Sequence, residues 1–342
     1  MKDVAGQVRD WRRQSLPVAL ATVIETWGSS PRGVGAKMAL NSEGGIAGSV
    51  SGGCVEGAVV EVGQQVLESG KPELLHFGVS DETAWEVGLA CGGEIDVFVE
   101  PIAEDHFEFM WGAIEEEQPA ASLTVIEGRE SDLGAKLSAR GAEGEQVLGA
   151  IDSGMEEAAR QALLESLGSG RARRIELGDQ AEAFVDVVMP RPTLVMVGGV
   201  HIAETLAELA RSLGYRTVVI DPRRSFGSEE RFPQVDELMQ TWPKDGLSEI
   251  GVDASTAVAV LTHDPKIDDP ALLAALPGPA FYVGALGSSR TQEKRRHRLR
   301  EAGLSDDQVG RLHGPIGLDI GAKTPEEIAL AVMAEVVAAR RS

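Results

Sequence analysis

The chain has 342 residues, more than one hydrophobic core ordinarily organises, so two domains are expected. Apolar residues make up 43% and charged residues 25%, as in folded globular proteins, and no apolar run forms a signal core or reaches membrane-spanning length, so the expected address is the cytoplasm, with no membrane span. With 54 acidic against 32 basic residues, the net charge of −22 argues against nucleic acid as a partner, and two cysteines are too few for a disulfide framework, although Cys54 and Cys91 could form one bridge or share a ligand.

Asp3 to Gln14 places Val4, Val8 and Trp11 on one side of an amphipathic helix, and the apolar run Val18 to Ile24 reads as a buried strand. It ends in a loop of glycines and small polar residues, Glu25 to Gly35, where Arg32 could offer positive charge to an anionic ligand or simply stay solvated. Ala36 to Leu40 and Ile46 to Val50, joined by Asn41-Ser42-Glu43-Gly44-Gly45, read as a hairpin. The stretch Gly48-Ser49-Val50-Ser51-Gly52-Gly53-Cys54-Val55-Glu56 then carries a cysteine into a glycine-rich turn. Val55, Ala58, Val59, Val62, Val66 and Leu67 recur at helical spacing before Gly70 and Pro72, which predicts Cys54 in the first turn of a helix. Free N–H groups and the helix dipole favour an anion there, so a thiol would gain as a nucleophile and as a soft-metal ligand, and Gly52 and Gly53 would let another molecule approach the backbone. The alternative is a small buried residue capping a tight turn.

Leu74 to Val79 reads as a strand, and Gly88-Leu89-Ala90-Cys91-Gly92-Gly93-Glu94 sets the second cysteine beside paired glycines before a strand from Ile95 to Val99. The like settings of Cys54 and Cys91 predict that both face one pocket. Beyond Ala103 the pattern predicts helices over His106 to Glu117 and Glu156 to Leu167, strands over Leu123 to Glu127 and Phe184 to Val188, and surface hairpins between 127 and 150. Pro190-Arg191-Pro192 reads as a stiff linker, giving expected domains of 1–189 and 190–342.

From Thr193 strands and helices alternate, which predicts a Rossmann-like parallel sheet, and the whole chain is α/β, with a mixed α/β domain preceding it. Leu194 to Val197, the turn Gly198-Gly199-Val200-His201, a helix from Glu204 to Leu213 and Thr217 to Ile220 lead to Asp221, which lies 23 residues past Gly198 in the place of a ribose-binding acid. Val200 replaces the glycine at which the backbone would approach a pyrophosphate, which argues against the dinucleotide while leaving the fold; His201 could ligate, transfer a proton or cap the helix. Ala257 to Leu261 and Phe281 to Leu286 are further strands, followed by His263-Asp264-Pro265 and by Gly287-Ser288-Ser289-Arg290, the latter opening a helix with Lys294, Arg295, Arg296, Arg298 and Arg300. Ser288 and Arg290 could form a phosphate site, and the rest of that helix could be a solvated basic face or a docking patch. Thr324, Pro325 and Glu327 mark the start of the last helix.

Gly28-Ser29-Ser30-Pro31-Arg32, Gly48 to Glu56, Leu89 to Gly93, Ile220-Asp221-Pro222-Arg223, Tyr282 to Arg290 and Pro315-Ile316-Gly317-Leu318-Asp319-Ile320-Gly321 together resemble the XdhC/CoxI family. The resemblance implies an accessory factor for a molybdenum hydroxylase of the xanthine dehydrogenase or carbon monoxide dehydrogenase type. Such a factor binds the molybdenum cofactor, a molybdopterin or its dinucleotide form, aids its sulfuration with a cysteine desulfurase and hands it to the large subunit of the hydroxylase; it is a cofactor-binding chaperone more than a stand-alone catalyst. It further implies an N-terminal α/β domain paired with a C-terminal Rossmann-like domain and, by analogy, a homodimer. Cys54 is then the expected molybdenum ligand, with Cys91 lining the same cavity between the domains, and Gly52, Gly53, Arg32, Gly198, His201, Asp221, Ser288 and Arg290 the remaining cofactor-binding candidates. Two other readings stay open: an NAD(P)-dependent oxidoreductase with Asp221 on the ribose, and a zinc protein using Cys54, Cys91 and a histidine such as His201.

Overall fold

The computed structural model describes residues 1–78, 93–178 and 181–341, and the chain divides into two units, Met1–Pro190 and Arg191–Ser342. The first unit opens with α1 (Lys2–Arg13), β1 (Val18–Trp27), β2 (Lys37–Asn41), β3 (Ile46–Gly48), α2 (Glu56–Ser69), β4 (Glu73–Phe77) and β5 (Glu94–Pro101). It continues with α3 (Glu104–Glu115), β6 (Ala120–Glu127), β7 (Lys136–Arg140), β8 (Gln146–Gly149), α4 (Glu156–Ser169), β9 (Arg173–Glu176) and β10 (Glu182–Val188). The two runs are one motif used twice. Each is a helix, three strands, a helix and two strands, and each makes a five-stranded sheet, ordered β3-β2-β1-β5-β4 and β8-β7-β6-β10-β9.

The strands of both sheets pair antiparallel, and the registers repeat: Thr22 faces Lys37 across β1 and β2 as Thr124 faces Lys136 across β6 and β7. The repeat extends to the turn after the third strand. Gly48 and Gly149 both have φ in the left-handed region, at 74° and 87°, and a methyl on either would strike the carbonyl of Lys37 or Lys136 at 2.3 and 2.4 Å. Only glycine fits both demands.

Alternation along the strands divides each sheet into two faces. Ala19, Ala21 and Val23 of β1 pack with Val55, Val59 and Val66 beneath α2, and Leu123 and Val125 of β6 pack with Ala159, Leu163 and Leu167 beneath α4. The opposite faces meet: Ile24 and Phe98 of one sheet touch Ile126 and Phe184 of the other. Charge is buried beside this apolar contact, and it crosses from one repeat to the other. Lys37 of the first sheet pairs with Asp186 of the second at 3.1 Å, and Lys136 of the second pairs with Glu100 of the first at 2.7 Å. Each lysine also donates to the threonine facing it, at 2.9 Å to Thr22 and 2.5 Å to Thr124.

The second unit contains β11 (Thr193–Val197), α5 (His201–Ser212), β12 (Arg216–Ile220), β13 (Glu237–Met239), α6 (Pro243–Ile250), β14 (Thr256–Val260), α7 (Pro265–Ala275), β15 (Tyr282–Ala285), α8 (Ser289–Glu301), α9 (Asp306–Gly310), β16 (Leu312–His313) and α10 (Pro325–Arg341). All pairs in its sheet are parallel, in the order β13-β12-β11-β14-β15-β16. This is the expected Rossmann-like half. The order reverses between β11 and β14, where such sheets open a crevice at their carboxyl ends. Thr324 and Glu327 form the expected capping box of α10, each side chain bonding the other's backbone N–H. No described helix is long and apolar enough to cross a membrane.

Candidate functional site

Cys54 does not lie in the first turn of a helix as expected. α2 begins at Glu56 with Val55 as its N-cap, so the cysteine sits just ahead of it on the turn that leaves β3. The reason is Glu56. Its carboxylate folds back into the turn and takes nearly every donor there. Oε1 accepts from the Ser49 hydroxyl at 2.6 Å and from the N–H groups of Val50, Ser51 and Gly52 at 3.2, 2.9 and 3.0 Å. Oε2 accepts from the Ser51 hydroxyl at 2.5 Å and from Gly53 N–H at 2.8 Å. The Ser51 oxygen accepts in turn from the N–H groups of Cys54 and Val55, at 3.0 and 3.1 Å.

Gly52 and Gly53 have φ of 84° and 120°, which suits a turn whose N–H groups all point inward at one carboxylate. Their outer side is open: a methyl on Gly53 would meet nothing within 4 Å, and one on Gly52 would meet only Pro31 of the preceding loop. Cys54, a free and half-buried thiol, follows these two glycines and packs against the edge of the core beneath α2. The corresponding turn of the second repeat, from Gly149 to Met155, has neither cysteine nor paired glycines.

Burial works against the charge on Glu56, but the hydroxyls of Ser49 and Ser51 and the turn's N–H groups outweigh it, and the carboxyl falls from the ordinary 4.5 to about 2. A depressed carboxylate pKa contributes stability that is present above the unfolded value and lost as pH falls through the folded one. The urea midpoint of the first unit is therefore expected to decline between pH 4.5 and about 2. In Glu56→Gln this contribution is already missing at neutral pH, and the decline over the same window is shallower.

The other expected residues are placed as follows. Arg32 donates to Asp3 of α1 at 2.7 Å, so its charge is already matched. Cys91 lies outside the described residues. Asp221 is fully buried at the end of β12 and accepts from Gly199 N–H at 2.8 Å and from Arg223 at its N–H, Nε and Nη2, at 2.9, 2.9 and 2.7 Å. Gly198 approaches Thr262 so closely that a methyl would lie 2.3 Å from its Cγ2, which ties the ends of β11 and β14 together. His201 starts α5 between Glu204 and Glu326, at 3.3 and 3.6 Å. Ser288 caps α8 by accepting from Thr291 N–H, and Arg290 is exposed on the first turn. Asp264 is likewise a cap, accepting from Lys266 N–H at 2.9 Å.

The basic helix α8 is neither a solvated face nor a free patch along its whole length. Arg295 is buried, pairing with Asp268 at 2.6 Å, and Arg298 and Arg300 pair with Asp269 and Asp306, both at 2.6 Å. The cavity between the sheets of the first unit, lined by Lys37, Glu100, Lys136 and Asp186 among others, has about 50 Å³. That holds a few waters and no pterin-sized molecule. Among the described residues no group of three or more His, Cys, Asp or Glu side chains could hold a metal ion; Cys91, one ligand of the zinc reading, lies outside them.

A dinucleotide does not fit the first turn of the second unit. Both oxygens of Asp221 are spent on Gly199 and Arg223, and Val200 puts an isopropyl group where a pyrophosphate needs bare backbone. A molybdenum cofactor fits the Cys54 turn better: the donor is a soft thiol and the glycine backbone beside it is open.

The family profile of the XdhC Rossmann domain matches residues 194–336, and that of the XdhC and CoxI family matches residues 11–78. The chain belongs to the XdhC and CoxI family. A Bacillus subtilis protein named as a probable xanthine dehydrogenase subunit is 27% identical over 329 residues, spanning 94% of this chain and 93% of its own. A molybdenum cofactor insertion chaperone of Escherichia coli is 26% identical over 323 residues, spanning 94% and 83%. The crystal structure of a xanthine dehydrogenase from Bacillus halodurans superposes with a TM-score of 0.75 over 98% of this XdhC/CoxI chain and 95% of that one; at 24% identity it shows the fold they share. Glu56, which sets the turn, is the residue that sequence reasoning missed as a site residue.

Proposed function

We propose that this XdhC/CoxI protein is an accessory factor for a molybdenum hydroxylase of the xanthine dehydrogenase or carbon monoxide dehydrogenase type: it binds the molybdenum cofactor, aids its sulfuration together with a cysteine desulfurase, and inserts it into the large subunit of the client. The observation that carries the reading is the half-buried free thiol of Cys54 directly after two glycines whose backbone is open, in a turn held by Glu56. When bound, the cofactor supplies a molybdenum centre with affinity for sulfur, and Cys54 would hold it. Gly52 and Gly53 would allow a bulky pterin to lie against backbone. The naming of a full-length relative as a molybdenum cofactor insertion chaperone supports the same role.

The test is anaerobic binding of molybdenum cofactor to the pure protein and to Cys54→Ala, read by molybdenum content and by pterin fluorescence after oxidation. The unaltered protein is expected to retain cofactor stoichiometrically. Cys54→Ala is expected to lose it while keeping its circular dichroism spectrum and unfolding midpoint. Equal retention by both would overturn Cys54 as the ligand.

A further inference from the structure

We infer that Glu56 is the resident anion of the turn from Ser49 to Gly53, so that this turn accepts a soft metal centre at the Cys54 thiol and refuses phosphate or any other oxyanion at its backbone N–H groups. Converging N–H groups in a glycine turn before a helix are the usual way a backbone holds phosphate. Here four of them, from Val50, Ser51, Gly52 and Gly53, are within 3.2 Å of one carboxylate oxygen or the other. Two hydroxyls complete the set. A ligand arriving at the open side of the glycines meets their Cα atoms and, behind them, a negative charge, with the half-buried Cys54 next in the chain. Placing a second anion in the cradle requires Glu56 to leave, which exposes six donors at once. The metal half of the inference rests on the proposed function; the occupied cradle does not.

The full chain carrying Cys91→Ser offers one thiol, Cys54. Its alkylation rates with neutral iodoacetamide and anionic iodoacetate, taken at one ionic strength, give a ratio that reports charge beside the sulfur. Glu56→Gln in this background is expected to raise the iodoacetate-to-iodoacetamide ratio about threefold, roughly what one unit charge several ångströms away is worth in water. Glu56→Asp keeps the charge and is expected to keep the parent ratio. A loosened turn would raise both rates together and leave the ratio where it was, so accessibility and charge are told apart. Inorganic phosphate at tens of millimolar is expected to leave the parent rates unchanged. A ratio unmoved by Glu56→Gln, or phosphate protection of the parent thiol, would overturn the inference. Cofactor retention by Cys54→Ala would instead overturn Cys54 as the ligand and with it the metal half, leaving the occupied cradle standing, because the alkylation ratio involves no cofactor.

Discussion

Lys37→Met is expected to destabilise the first unit by about 3–5 kcal/mol, the usual cost of leaving one member of a buried ion pair without its partner. Lys37 is 3% exposed and Asp186 13%, and they meet across the two sheets at 3.1 Å. Burial pushes the Asp186 carboxyl up, but the charges of Lys37 and the Met1 ammonium, with hydrogen bonds from Lys37 and Val187 N–H, together outweigh it and hold the group below its ordinary value, so the aspartate is ionised at neutral pH. Methionine keeps the volume of the lysine and removes the charge, leaving that carboxylate buried. Once Lys37 is gone, burial is opposed only by the Met1 ammonium and the Val187 N–H, and the folded pKa of Asp186 rises. The deficit is then smallest in acid, where the group takes up a proton, and grows as pH rises. Chemical denaturation at pH 7 and in mild acid measures both effects. The double variant Lys37→Met with Asp186→Leu is expected to recover most of the loss, since a packed apolar pair often serves as well as an ionic one. A single variant as stable as the parent would mean that water reaches the pair.

Neither buried pair is legible in the sequence. Lys37 and Lys136 open strands β2 and β7, where alternation marks a charged residue as solvent-facing. They are buried because the second sheet supplies Asp186 to Lys37 and the first supplies Glu100 to Lys136, and no local pattern reports a partner so distant along the chain. The duplication is hidden for a related reason. It is written in strand order and register, with a few shared positions such as Thr22 and Thr124 or Gly48 and Gly149, while the stretch around 103–185 reads as plain helices and strands. Short strands are hidden as well. β9 and β13 owe their place to a longer neighbour, β10 and β12, more than to their own residues.

The second unit is far more legible, because a parallel sheet buried on both faces requires continuous apolar strands such as Leu194 to Val197 and Ala257 to Leu261. Its charges are not. Arg295 and Arg298 look alike on α8, yet one is 2% exposed against Asp268 and the other 37% exposed against Asp269, a difference set by which side of the helix meets α7. At the Cys54 turn, the glycines and the cysteine announce themselves. Glu56 does not, because capping rules look for an acid in the helix reaching back to a single N-cap N–H. This acid instead reaches back over a whole turn to four N–H groups.

Asp221→Asn separates the two roles that its position allows. A ribose-binding acid would leave stability nearly unchanged on substitution and cost affinity for NAD(H). The structure gives Asp221 a different employment: fully buried, it closes the turn after β11 by accepting from Gly199 N–H and anchors the chain after β12 through Arg223. Burial raises its pKa, but the bonds from Arg223 and Gly199 outweigh burial and leave it below the ordinary carboxylate value. Asparagine keeps the shape and replaces one accepting oxygen with an NH2 group. In the Oδ2 position that group faces Gly199 N–H and Arg223 Nη2, and in the Oδ1 position the N–H and Nε of Arg223, donor against donor in a fully buried place either way. An unsatisfied buried donor costs about 1–3 kcal/mol and a weakened bond to a charged partner adds about as much, so a loss of about 3 kcal/mol is expected for the second unit. In the parent, the stability contributed by Asp221 is lost as pH falls below the ordinary carboxylate range; in Asp221→Asn the urea midpoint should be flatter over that interval. Equilibrium titration with NAD(H) is expected to give no saturable binding to either form. Saturable binding by the parent that Asp221→Asn abolishes, with stability unchanged, would restore the dinucleotide reading and require the Asp221–Arg223 pair to open for the ribose.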